Sequence, residues 1–154
     1  MSSRPDYRKA APDAFKAMLN LELAVQRGGL EAPLLKLVKM RASQINACGY
    51  CLDMHSKDAR AAGESEQRLY ALPAWREAPF YSKRERAALA WTEAVTQVSS
   101  NDLPDDLYQE VHKEFDDKAM VELTLAIIAI NGWNRLAIGF RTEVGSYVVP
   151  GSAP

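Results

Sequence analysis

Two cysteines and a histidine lie within eight residues of one another in a chain that has few of either type. Cys48 and Cys51 are the only cysteines, and His55 and His112 the only histidines. The segment reads Cys48-Gly49-Tyr50-Cys51-Leu52-Asp53-Met54-His55. On a helix, residues four apart stack on one face, so Cys51 and His55 would meet. If Cys48 lies at the start of that helix, its thiolate gains from unpaired backbone N–H groups and the helix dipole. An imidazole can accept a thiol proton or, once charged, stabilise the thiolate, which is the form that attacks an electrophile such as a peroxide oxygen. The resulting sulfenic acid would lie one turn from a second thiol that can condense with it. The residues alone leave open which thiol attacks, because helix-start electrostatics favour Cys48 and the register with His55 favours Cys51.

Two blander readings compete. A CxxC pair is also half of a zinc site, but structural zinc sites usually take four ligands from two separated pairs. His112 is the one Cys or His left over, so a cage would need it or a carboxylate. The pair could also be inert and buried. Tyr50, between the cysteines, suits either a gate or ordinary packing.

The elements that must position these groups read as helices throughout. Pro12 suits a first helical turn, and Ala14 to Arg27 carries Phe15, Met18, Leu19 and Leu23 at helical spacing, closed by Gly28-Gly29 in the left-handed conformation. Pro33 opens a second helix with Leu34, Leu37, Val38, Arg41 and Ile45 along one side. Ala47 to Ala62 forms a third, ended by Gly63, and Ser65 or the charged turn before it caps a short fourth, Ser65 to Leu72. Pro73 to Ser82 is a loop. Ser82 and Glu85 fit a capping box that starts a helix to Val98. Asp105 to Phe115 follows, and Asp116 or Asp117 caps a last helix from Lys118 to Val144. Tyr147 to Val149 is an ambiguous tail. Leu123, Leu125, Ile127, Ile128 and Ile130 are apolar on more than one face, which predicts burial on several sides and an oligomer interface. Asn131, Trp133 and Asn134 interrupt that helix and are read as packing or subunit contacts before a ligand site.

The 154 residues suit one domain, with 47% hydrophobic and 25% charged residues. A net charge of -1 and the lack of a basic stripe argue against a nucleic-acid partner. Met1 to Phe15 lacks the apolar core of a secretory signal, and the longest apolar run, Leu123 to Ile130, is short of a membrane span. The expected compartment is the cytoplasm, where paired cysteines are usually transient and catalytic.

The stretch from Arg41 to Glu64, RASQINACGYCLDMHSKDARAAGE, resembles the signature of the carboxymuconolactone decarboxylase superfamily, and more narrowly its alkylhydroperoxidase AhpD-like branch. Glu85 to Thr96 and Val121 to Tyr147 are similar to that branch too, so the likeness covers residues 31–147. The family's decarboxylases generally lack the CxxC pair. The resemblance implies an all-α, single-domain fold of six or seven helices over residues 1–154, assembled as a trimer or hexamer. It implies a cofactor-free peroxidase that reduces a small hydroperoxide and is regenerated by an external dithiol. Cys51 would be the peroxidatic thiol, Cys48 the resolving one and His55 the base. The family pattern also has a proton-relay glutamate twelve residues before the first cysteine, where this chain has Lys36. The expected replacement is Glu93, partly desolvated and raised in pKa among small residues, with Glu85 next in line; the alternative for Glu93 is that it faces solvent or pairs with a basic residue of a neighbouring helix. A family member without peroxidase activity, lyase-like or thiol-sensing, is the first alternative. A zinc-stabilised helical binding module is the second.

Overall fold

The computed structural model describes residues 4–151, and among them every regular element is helical. α1 is a single turn, Tyr7–Ala10, capped by Asp6. α2 (Pro12–Arg27), α3 (Ala32–Ile45) and α4 (Gly49–Ala61) follow. α5 (Glu66–Ala71) runs into a 3-10 turn, Leu72–Ala74, before α6 (Lys83–Thr96), α7 (Asp105–His112) and α8 (Asp117–Gly139). The eight α-helices exceed the six or seven expected because the one-turn α1 is too short to show a period.

Local chemistry explains most boundaries. The Ser65 side chain accepts from the Arg68 N–H, the Ser82–Glu85 capping box forms in both directions, and Asp116 caps α8. Pro12 and Pro33 occupy first turns, where a missing N–H costs nothing. Gly28 departs from expectation: its φ of -67° is ordinary, and its lack of a Cβ serves close approach instead. A Cβ there would lie 3.1 Å from Glu122 Oε1. The neighbouring Gly29 N–H donates to Glu122 Oε2 at 3.1 Å, tying the end of α2 to α8.

α8 ends at Gly139 and not at Val144. The N–H of Thr142 reaches the Ala137 carbonyl at 2.9 Å and that of Arg141 reaches Ile138. This is a Schellman closure with Arg141 at φ 54°. α8 is long and apolar enough to cross a bilayer by length and composition. In this fold it packs against α2, α3, α4 and α6, and Leu123, Ala126, Ile127, Ala129 and Ile130 are fully buried. Its other face leaves Val121 60% and Ile128 49% exposed.

The main core joins Val25, Leu34, Val38, Trp91, Phe115, Leu123 and Ile127. A second cluster packs Leu37, Met40, Ala59, Leu72, Trp75 and Leu89 beneath α4, α5 and the loop. The third is small: Cys48, Cys51 and Ala137, with Tyr50 against them.

Candidate active site

The corner between α3 and α4 sets the cysteines. α3 closes on a Schellman pair, with the Cys48 N–H on the Ser43 carbonyl at 3.0 Å and the Ala47 N–H on Gln44 at 3.2 Å. Ala47 therefore holds φ 52°, a conformation that glycine usually fills. Cys48 becomes the N-cap of α4, so the helix starts two residues later than expected, and Cys51 sits in its first turn. An amide network anchors this corner to α8. The Asn46 side chain donates to Asn131 and Asn134, each at 2.9 Å, and Asn134 donates to the Ser43 hydroxyl at 3.0 Å. Asn131 goes on to the Thr96 hydroxyl at 3.0 Å.

Cys48 and Cys51 are joined by a disulfide, with their Cα atoms 5.4 Å apart. Both are almost fully buried, at 1% and 2% exposure, but only Cys51 lines the cavity that opens beside them. That cavity measures about 780 Å³ and lies between α1, α2, α3, α4 and α8. His55 lines it one turn beyond Cys51, as the spacing predicts. Tyr50 and Trp133 line it as well.

Burial pushes His55 down to a pKa of about 3, helped by the positive charges of Lys39 and Lys36 and opposed by Glu22. The imidazole is therefore neutral at pH 7 in the disulfide state. Glu22 projects from α2 into the same cavity. Burial raises its pKa, but the Lys39 ammonium, with hydrogen bonds from Lys39, Gln26 and Trp133, brings it below the ordinary value. Gln26 donates at 3.0 Å, the Trp133 indole at 3.2 Å, and Lys39 forms a close ion pair with Glu22. Gly132 lets α2 approach α8 here, since a Cβ would meet the Met18 methyl at 2.8 Å.

Glu93 is not part of this cavity. It accepts from the Trp75 indole at 2.8 Å, from Arg41 at 2.9 Å and from Arg76 at 2.6 Å. Burial raises its pKa, but those three donors outweigh it and leave the carboxyl below the ordinary range. The expectation of a raised pKa at Glu93 is thus corrected, because small neighbours on α6 admit an indole and two guanidiniums in place of a void. Glu85 is likewise held low, by Arg68 and the Ser82 cap. His112 lies far along the chain on α7, hydrogen-bonded to Asp117 at 2.8 Å and stacked on Tyr108. Glu22 and Lys39 were not expected at the site, and Trp133, read first as a packing or subunit contact, lines its cavity. The signal for Glu22 was a lone carboxylate on the apolar side of α2, and for Lys39 a lysine between Val38 and Met40 on a buried helix.

An all-helical bundle in which one cysteine of a CxxC disulfide and a histidine line a cavity defines a thiol-disulfide site on a small helical scaffold. Residues 11–94 match the Carboxymuconolactone decarboxylase family, and the chain belongs to that family, within its AhpD-like superfamily. The uncharacterized protein YdfG of Bacillus subtilis is 41% identical over 95% of this chain and 99% of its own length. A crystal structure of ATU0492 from Agrobacterium tumefaciens, a protein of unknown function suggested to be the antioxidant defence protein AhpD, superposes with a TM-score of 0.89. It is 45% identical and covers 95% of this chain and 100% of its own. The debrominase Bmp8 shares the fold at a TM-score of 0.79 with 21% identity, over 90% of this chain and 74% of that one.

Proposed function

We propose that the protein is a thiol-dependent peroxidase that reduces an organic hydroperoxide with Cys51 as the attacking thiol. The observation that carries this reading is the disulfide-paired Cys51 lining a ligand-sized cavity beside a buried, neutral His55. In the reduced protein, the Cys51 thiol passes its proton to His55 and the thiolate attacks the distal oxygen of the hydroperoxide. The O–O bond breaks, Cys51 becomes the sulfenic acid, and the leaving alkoxide takes the proton from His55 to depart as the alcohol. Cys48 then attacks the Cys51 sulfur, its proton leaves with the displaced hydroxide as water, and the disulfide forms. An external dithiol restores both thiols by exchange and is itself oxidised.

Glu22 supplies the carboxylate that Lys36 does not. Its charge favours the protonated imidazole, so it stabilises His55 while that residue holds the proton between the two steps. Cys48, outside the cavity, suits the resolving role. The exposed Val121 and Ile128 face of α8 supports assembly with further copies of the chain.

The test is a thiol count on the reduced protein before and after one equivalent of cumene hydroperoxide. Loss of both thiols, reversal by a dithiol, and no disulfide in Cys51→Ser are expected. Two thiols that stay free would end the peroxidase reading.

A further inference from the structure

The cavity at Cys51 carries more positive charge than its own carboxylates engage. Arg8, Lys36 and Lys39 line it, against Glu22 and Asp58. Lys39 is committed to Glu22. Asp58 accepts the Tyr147 hydroxyl at 2.7 Å. The Arg8 guanidinium lies against Tyr7 and Tyr50. The half-buried Lys36 ammonium makes no ion pair or hydrogen bond among the described residues. It projects from α3 one turn before Lys39, close enough for its charge to act on His55.

The remaining wall is apolar. Phe15, Leu19, Leu35, Met54 and Trp133 line it, and Phe15 packs edge-on to Trp133 at 5.9 Å between ring centroids. A volume of about 780 Å³ accommodates an organic molecule of moderate size. We infer that this cavity selects an amphipathic carboxylate, its apolar body along Phe15, Met54 and Trp133 and its anionic group on Lys36. As to turnover, the inference rests on the peroxidase reading: the substrate would be the hydroperoxide of a carboxylic acid. The binding preference is independent of it.

The physical case is one of discrimination. A neutral apolar ligand would bury the Lys36 ammonium further with no partner, which costs free energy in a low-dielectric wall. A cationic ligand would be repelled by Arg8 and Lys36. A small inorganic anion would pair with Lys36 but leave the apolar wall wet. A carboxylate on an alkyl or aryl body satisfies both surfaces at once.

The experiment uses decanoate and decanol, which differ at the head group and cannot react with the thiols. Binding to the oxidised wild-type protein is measured by calorimetry at pH 7.5. Decanoate is expected to bind at least tenfold more tightly than decanol, with the advantage lost in Lys36→Met and largely retained in Lys36→Arg. Equal affinities for acid and alcohol would overturn the inference, as would a decanoate preference that Lys36→Met leaves intact. In a parallel assay, cumene hydroperoxide, which carries no charge, reports on the peroxidase reading alone. A Lys36-dependent decanoate preference in a protein that fails to consume cumene hydroperoxide would sustain the binding inference and end the peroxidase reading. A protein that consumes cumene hydroperoxide without preferring decanoate would do the reverse.

Discussion

Glu22 and Glu93 are two half-buried carboxylates built from the same parts. Each accepts an indole N–H, from Trp133 at 3.2 Å and from Trp75 at 2.8 Å, and each is paired with a cation. They differ in what else holds them. Glu93 meets two guanidiniums, Arg41 and Arg76, which do not titrate in any accessible range, and its clasp ties α3, α6 and the segment after the 3-10 turn. Glu22 meets one lysine and two neutral donors, faces the cavity, and acts on the charge of His55. Burial of a carboxylate is therefore no signature of proton traffic. What separates the two is whether the carboxylate reaches the reacting groups.

The largest effect should come from Glu22→Gln. Its loss leaves the protonated imidazole without its favourable charge, and hydroperoxide reduction should fall about 100-fold, in line with general acid-base contributions. Alkylation of the reduced protein by iodoacetamide should fall less, because it needs the thiolate that His55 generates, but iodide leaves without a proton. Hydroperoxide reduction left unchanged in Glu22→Gln would remove Glu22 from the proton path. Glu93→Gln should show the opposite pattern. It breaks a partly buried, triply bonded carboxylate, so denaturant unfolding should report a loss of about 2–3 kcal/mol, with turnover per folded molecule unchanged. If turnover also collapsed in Glu93→Gln, the contrast between the two sites would fail.

His55 allows the same contrast to be read from pH. Its folded pKa of about 3 lies below the ordinary 6.5, so the unfolded chain binds a proton that the folded protein refuses. Stability is then fully present above pH 6.5 and declines as pH falls toward 3, by about 2 kcal/mol at pH 5. Glu22, also held low, adds a loss in the same direction at more acidic pH. Urea unfolding of the oxidised protein at pH 7.5 and pH 5 measures the slope, and His55→Gln should flatten it. A slope that survives His55→Gln would mean that the imidazole is not the buried neutral group described.

Much of the scaffold was legible because its signals are local. Ser65, the Ser82–Glu85 box, Pro12, Pro33 and Gly63 marked helix ends through chemistry that acts within a turn. The register of Cys51 with His55 was legible for the same reason. The partners of His55 were not, because Glu22, Lys39 and Trp133 come from α2, α3 and α8 and converge only through packing. Periodicity shows that a helix has a buried face, but not which face of another helix it meets. The same limit misplaced Glu93: small residues on α6 signalled close approach, while the identity of what approached, Trp75 and two arginines, lay on other elements.

α4 repeats the division between scaffold and site at its two ends. Its C-terminus closes on Gly63 at φ 92°, with the Glu64 N–H on the Ala59 carbonyl at 2.9 Å. The closure that precedes its N-terminus has the same hydrogen bonds but places Ala47 in the left-handed region, adjacent to Cys48. A β-carbon there costs about 1–2 kcal/mol, of which glycine would return only part, because glycine loses more chain entropy on folding. Ala47→Gly should therefore stabilise the protein by about 0.5–1 kcal/mol in denaturant unfolding. The Cys48 N–H remains on the Ser43 carbonyl in either case, but the corner becomes free to leave that geometry. A stabilised variant with slower closure of the disulfide after peroxide treatment would mean that the alanine restricts the corner to the arrangement in which the two sulfurs meet. Unchanged stability would show that the amide network of Asn46, Asn131 and Asn134 alone sets the turn, with no strain left at Ala47 to relieve.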